Sequence, residues 1–234
     1  MAAGIAHELG TPLSIVAARA AFVESDDGAS VEAKAHARVV VEQAGRMTAI
    51  IRQLLDFARR RGAQLGVTDV QRIVAHTLEL LSSVARRRSV TLELTNPARP
   101  VLGRVDEGQM QQALTNVVLN AIQAMPNGGW VRVGVSVEQA RSPADQGGGG
   151  EGPYLCVTVE DDGEGIAPEH VPHVFEPFFT TKGVGEGTGL GLSVAHGIVA
   201  EHGGWMDVKS TVGEGTRFRI FLPALTPEPV RAAS

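Results

Sequence analysis

Aromatic side chains are scarce in this sequence, at 4% of 234 residues, so a core has to be built mostly from Val, Leu, Ile and Ala. Cysteine is nearly absent. The one thiol, Cys156, sits in the apolar run YLCVTV, which excludes a disulfide framework and reads as a core position. No apolar run approaches the ~18–20 residues of a membrane-spanning helix. The first residues lack the basic-then-apolar order of a signal peptide, and the cytoplasm is the expected compartment. Excess positive charge is missing too. A net charge of −5 leaves no electrostatic footprint for nucleic-acid binding, and Arg59-Arg60-Arg61 is too short a run to create one. What the chain does have is a hydrophobic fraction of 43%, which excludes global disorder, and a length that suits one large domain or two modest ones.

Residues 2–24 read as a helix, because Ile5, Leu9, Leu13 and Val16 recur on one face. Pro12 falls inside that pattern and should bend the helix or free a carbonyl. SDDGAS, 25–30, is a break punctuated by Gly28. A second helix runs from about 31 to 61, where Val40, Ala44, Met47, Ile51, Leu54 and Ala58 keep a nearly heptad rhythm. A lone helical hairpin with one apolar stripe per helix cannot close a core. Pairing with a second copy into a four-helix bundle can, so a homodimer is expected. RRGAQLGVTD, 60–69, is the candidate connector. The implied division is a hairpin domain over 1–62, a linker over 63–69, a second domain over 70–224 and a flexible tail over 225–234.

The second domain mixes helical stretches (70–86 and 107–125) with β-rich runs at 90–94, 130–137, 154–161, 205–210 and 216–223. That is an α+β pattern with hairpin-like strand pairs. SPADQGGGGEGP, 142–153, reads as a mobile low-complexity loop between two strands.

Four stretches of this domain carry chemistry. In NVVLN, 116–120, Asn116 and Asn120 are four apart on a helix, so both amides leave one face. Neutral amide oxygens can help hold a hydrated Mg²⁺ and nearby phosphates. EDDGEGI, 160–166, follows an apolar strand. Gly163 and Gly165 let backbone approach a flat ligand, and Asp161 at the strand end can accept from an exocyclic amine such as that of adenine. FEPFFTTK, 175–182, pairs an aromatic anchor with Lys182, a cation able to neutralise phosphate. GEGTGLGLSVAHGIV, 185–199, feeds alternating glycines (Gly185, Gly187, Gly189, Gly191) into a helix start, which presents free amides to phosphate. It is neither a Walker loop nor a dinucleotide fingerprint, since no Gly-Lys-Ser/Thr follows and no strand precedes. Each stretch alone also has a bland reading: a polar helix face, an acidic turn, a satellite aromatic cluster, a flexible loop.

In this order and spacing the four stretches resemble the ATP-binding domain of sensor histidine kinases. That domain is a branch of the wider ATPase family of gyrase, the ninety-kilodalton heat-shock chaperones and mismatch-repair ATPases, and FFTTK and GTGLGLS fit the kinase branch best. The likeness covers about 70–224. In AHELGTPL, 6–13, the run His7-Glu8-x-x-Thr11-Pro12 then resembles the phosphoacceptor box of that family, and RMTAIIRQLLDFAR, 46–59, its second dimerisation helix. The fold implied is an all-α hairpin forming a dimeric four-helix bundle, plus an α+β two-layer sandwich of the Bergerat (GHKL) type.

The resemblance implies ATP and Mg²⁺ as cofactors, His7 as phosphoacceptor, and an aspartate of a response-regulator receiver domain as the next acceptor. Glu8 is adjacent and can orient or deprotonate the imidazole. Thr11, one turn on, is implied to align water for dephosphorylating the regulator. Adenine falls to Asp161 with Gly163, Gly165 and Thr216; Asn120 is the implied Mg²⁺ ligand, with Asn116 assisting. Gly187, Thr188, Gly189, Leu190 and Gly191 form the lid hinge and phosphate loop, with Lys182 beside them. Two positions depart from the family pattern. Gln123 stands where many relatives carry a base, and Asp162 stands where Asn or Thr is usual. Relatives usually carry more helix ahead of the phosphoacceptor than this chain does, which suits either a catalytic fragment of a longer receptor or an excised piece. His36, His76, His170, His173, His196 and His202 show no metal-ligand clustering. An ATP-driven clamp without phosphohistidine and a non-enzymatic dimeric scaffold are the competing readings; the clamp leaves the His7 box unexplained, and the presence of every expected ATP-site residue except at the Gln123 position argues against the scaffold.

Overall fold

The computed structural model describes residues 2–58, 62–95, 100–143, 150–182 and 187–225, with side chains described for these except 2–10, 46, 49, 50 and 52–58. The chain divides into two compact units, Met1–Arg61 with Thr180–Leu190, and Gly62–Phe179 with Gly191–Ser234.

The first unit is built on α1 (Ala2–Ser25) and α2 (Val31–Ala58). Pro12 lies inside α1 without ending it. The SDDGAS stretch supplies both caps of the intervening turn. Ser25 donates its hydroxyl to the Phe22 carbonyl at 3.0 Å, Asp26 accepts the Gly28 N–H at 2.9 Å, and Ser30 accepts the Ala33 N–H at 3.1 Å at the start of α2. Small residues line the buried side: Ala20, Ala37 and Ala44. Val40 and Met47, expected in the apolar seam, remain exposed on the single chain, as do Ile15, Val16 and Phe22.

The second unit is a two-layer α+β sandwich. Its sheet runs β2-β4-β5-β7-β6, from β2 (Val90–Thr95), β4 (Gly129–Arg141), β5 (Glu151–Asp161), β6 (Trp205–Thr211) and β7 (Gly215–Pro223). Three of its neighbouring pairs are antiparallel, as expected of hairpin-like strands, but β2 and β4 pair parallel. Alternation along the strands sends Val131, Val133, Leu155, Val157, Val159, Phe218 and Ile220 into the main core. There they pack with residues of α3 (Val70–Arg87), α4 (Glu107–Gln123) and α5 (Gly191–Glu201). The opposite parity carries ion pairs, Glu93–Arg132, Glu160–Arg217 and Asp207–Arg219. It also carries an aromatic nest in which Trp205 stacks on Phe221 at 4.6 Å and meets Tyr154 edge-on at 4.5 Å. Cys156 is fully buried in that nest, and burial pushes its thiol up to about 11.

Several expectations need correction. The stretch read as linker over 63–69 is half strand: β1 (Gly66–Asp69) pairs antiparallel with β3 (Leu102–Val105), a strand the sequence pattern did not reveal. The run 142–153 is loop only in part, since β5 begins at Glu151, and 144–149 lie outside the described residues. So do 59–61 at the end of the second helix and the tail from 226 onward.

Candidate functional site

Helix α4 starts where Asp106 accepts the Gln109 N–H at 3.0 Å. Chiefly that bond holds the Asp106 carboxyl below its ordinary range. The helix buries Met110, Ala113, Leu114, Val117, Val118, Ala121 and Ile122. Asn116 and Asn120 fall at the edge of this apolar face and stay half-buried, with their amides on one side of the helix. Gln123, at the last helical position, is exposed.

Strand β5 ends at Asp161, which is 3% exposed. Its Oδ1 accepts the Gly163 N–H at 3.0 Å. Burial pushes its carboxyl up to about 6 against the pull of the Gly163 and Thr216 backbone amides, while Asp162 and Glu160 add to the rise. None of the ion pairs among the described residues involves Asp161. A buried carboxylate without a cation is suited to a neutral donor, and an exocyclic amine of a flat base is one.

The loop after Asp161 is fastened on three sides. Glu164 N–H donates to the Ala124 carbonyl at 3.0 Å just past α4, Gly213 N–H donates to the Glu164 carbonyl at 2.8 Å, and Ile166 N–H donates to Ser210 Oγ at 2.8 Å. Gly165 has φ 72°, and a Cβ there would collide with the Thr211 carbonyl, so this turn needs glycine. Thr216 pairs with Asp161 across β5 and β7, and its hydroxyl meets Ser210 Oγ at 2.8 Å. Ser210 was not anticipated; nothing local marks a serine at a strand end until the β6–β7 pairing is known. Asp162 fixes the start of β4, because its Oδ1 accepts the Trp130 N–H at 2.7 Å.

The aromatic segment is anchored as expected of FEPFF. Phe175 stacks on His196 at 5.0 Å and meets Phe218 at 6.3 Å, while Phe179 lies against His170 and His173 at 5.6 and 5.7 Å. His173 Nδ1 stands 2.8 Å from Glu176. Burial holds the His196 imidazole below its ordinary range. Phe178 is 62% exposed with φ 68°, an unfavourable backbone for a bulky residue.

The second unit contains Asn116, Asn120, Asp161, Gly163, Gly165, Thr216 and Gly191; Thr216 and Gly163 meet Asp161, and Gly191 faces Asn116, where a Cβ would lie 3.8 Å from the asparagine side chain. Lys182, Gly187, Thr188, Gly189 and Leu190 group with the first unit. There Lys182 N–H donates to Thr180 Oγ1 at 3.2 Å, Gly187 lies beside Thr180 and Lys182, and Leu190 N–H donates to Thr188 Oγ1 at 3.4 Å. Gly185 lies outside the described residues. His7 and Glu8 occupy α1, with their side chains outside the description; Thr11, on the same helix, is exposed. The donor set on α4, two neutral amide oxygens, fits a hydrated Mg²⁺ ion.

Comparison with known proteins bears on this arrangement. Residues 105–226 match the family described as histidine kinase-, DNA gyrase B-, and HSP90-like ATPase, and residues 1–63 match the His Kinase A (phospho-acceptor) domain. Sensor histidine kinase ZraS of Escherichia coli O157:H7 is 36% identical over 224 residues, covering 95% of this chain and 45% of ZraS. Sensor kinase CckA of Brucella abortus (strain 2308) is 35% identical over 231 residues, covering 97% of this chain and 24% of CckA. The chain therefore spans less than half the length of these curated relatives. Among solved structures, full-length ShkA in complex with AMPPNP matches with a TM-score of 0.71 and 27% identity, over 99% of this chain and 47% of ShkA. The chain belongs to the histidine kinase-, DNA gyrase B- and HSP90-like ATPase family, in its sensor histidine kinase branch.

Proposed function

We propose that this chain is the catalytic core of a two-component histidine kinase, which phosphorylates His7 from ATP and passes the phosphoryl group to an aspartate of a response-regulator receiver domain. The observation that carries the reading is that one chain holds both a phospho-acceptor domain match, with His7 in a helix, and a buried, cation-free Asp161 beside a glycine turn. ShkA, which shares the fold, binds the ATP analogue AMPPNP, and this supports the nucleotide assignment.

In the proposed reaction Asp161 accepts the adenine amine, and Gly163, Gly165 and Thr216 shape the pocket floor. Lys182 and the amides of Gly187, Thr188, Gly189, Leu190 and Gly191 face the phosphates. Asn120, with Asn116 assisting, would hold Mg²⁺, which supplies charge neutralisation of the phosphate chain when bound. Glu8 hydrogen-bonds one ring nitrogen of His7 and takes its proton. The other nitrogen forms the P–N bond as the β–γ phosphoanhydride bond breaks and ADP leaves. The P–N bond then breaks on attack by the receiver aspartate, giving an acyl phosphate. Thr11 aligns the water that hydrolyses that acyl phosphate in the reverse signalling state. The working form is a homodimer through the hairpin, and the core acts in the cytoplasm, where ATP is available. No helix among the described residues is long and apolar enough to cross a membrane.

The phosphotransfer step tests this proposal. Labelled chain, freed of ATP and mixed with a receiver domain, should lose label as the receiver gains it, and a receiver with its acceptor Asp changed to Asn should gain none. Label that never leaves the chain would reduce the reading to autophosphorylation alone.

A further inference from the structure

His202 is a buried histidine that the nucleotide site does not use. Asp106 N–H donates to its Nε2 at 2.9 Å, and its Nδ1 stands 2.8 Å from the Ile198 carbonyl, which can only accept. The ring therefore bridges as the Nδ1–H tautomer, from the C-terminal end of α5 to the N-cap of α4. Asp106 is engaged on every side. Besides the N–H given to His202, Oδ1 accepts the Gln109 N–H at 3.0 Å, Oδ2 accepts the Gln64 N–H at 2.9 Å, and the carbonyl accepts the Met110 N–H at 2.9 Å. Further along, the first residue of α5, Gly191, faces Asn116, midway along α4. The helices are thus bound together at the start of α4 and meet again where the candidate metal-binding asparagines face the start of α5.

We propose that His202 and Asp106 are positioning residues that set the register of α4 on α5, and so the spacing of Asn116 and Asn120 from the helix start at Gly191. This rests on the nucleotide reading above. A slide of α4 along α5 moves both asparagines with respect to the amides of that helix start, and the Asp106–His202 bond opposes the slide. Because Gln64 bonds to the same carboxylate, displacement of the chain arriving from residue 62 loads the same node. Asp161 itself lies on β5, outside this pair of helices; its loop meets the end of α4 through the Glu164 N–H to Ala124 carbonyl bond, so a slide acts on the asparagines before it acts on the adenine partner.

The contrast between two variants tests it. In His202→Asn the amide can keep a donor near the Ile198 carbonyl but loses the acceptor for Asp106; in His202→Gln the amide oxygen reaches the Nε2 position. With the whole chain in a calorimeter, His202→Asn should weaken AMPPNP binding in Mg²⁺ by about tenfold or more, as supporting-residue losses do at metal sites, and leave ADP binding in chelator within about twofold. His202→Gln should recover most of the loss. Unchanged binding in His202→Asn, or equal losses for both probes, overturns the proposal, because a merely structural role weakens both alike. Wild type that binds neither probe brings down the nucleotide reading itself, and the proposal with it. The unaltered chain gives a second check. Since coupling is reciprocal, the Asp106 amide should exchange hydrogen more slowly with AMPPNP and Mg²⁺ than with metal-free ADP, and equal rates contradict the coupling.

Discussion

A carboxylate buried without a cation opposes folding, and Asp161 is one. Its pKa near 6 rather than the usual ~4 means that the folded chain holds the proton more tightly than the unfolded one. Stability from this group is therefore full below pH ~4 and is lost as pH rises through about 6, a difference of about 3 kcal/mol. Asp161→Asn should accordingly raise the melting temperature of the nucleotide-free chain at pH 7.5, by about 1–3 kcal/mol of stability, and the gain should shrink toward pH 4. The same variant should bind nucleotide far more weakly. In wild type the adenine amine donates to Asp161, and the ionised carboxylate is the stronger acceptor, so nucleotide affinity should fall as pH drops below about 6, by up to ~tenfold per unit. A calorimetric titration over pH 5–8 that shows flat affinity would contradict that role. Asp161, Gly163 and Gly165 were legible because their spacing is local. Ser210 and the Asp162–Trp130 bond were not, because each depends on which strands come together.

Among the elements, the long amphipathic ones were readable and the short ones were not. Helices α1 and α2 and the five strands of the main sheet follow their apolar periodicities. The strand Leu102–Val105 hides because Gly103 breaks its alternation. A Cβ at that position would stand 3.1 Å from Val70 and 3.2 Å from Leu155, so close packing favours glycine where the alternation calls for a side chain. Pro12 lies within the helix that the apolar pattern predicts, and α1 passes through it unbroken. Proline supplies no N–H to the carbonyl four residues back, that of Glu8, beside His7. Pro12→Ala should restore that bond, stabilise α1 by up to ~3 kcal/mol, and shift the balance of kinase over phosphatase activity. Thermal melting and paired activity assays check both effects; a stiffer helix with the same balance would count against Pro12 as the flexible point.

At the scale of the whole molecule, the hairpin of one chain leaves Phe22 72%, Val40 40% and Met47 51% exposed. Apolar side chains in such number on a two-helix element call for a partner surface. Sedimentation should show a dimer, and Val40→Asp with Met47→Asp should weaken it by ~100-fold or more, since burial of each is worth about 1.5–3 kcal/mol. A wild-type chain that stays monomeric at ~100 µM, about −5.5 kcal/mol on the association scale, would remove the bundle from the account. A dimer is expected because a lone hairpin cannot close a core, whereas the proposed chemistry of transfer rests on motifs at opposite ends of the chain taken together. That joint claim is tested most directly by phosphoryl transfer from γ-labelled ATP with Mg²⁺, comparing the wild-type chain with His7→Gln. Acid-labile, alkali-stable label is expected on wild type and none on the variant. Equal labelling of both proteins, or nucleotide binding with label on neither, would contradict it.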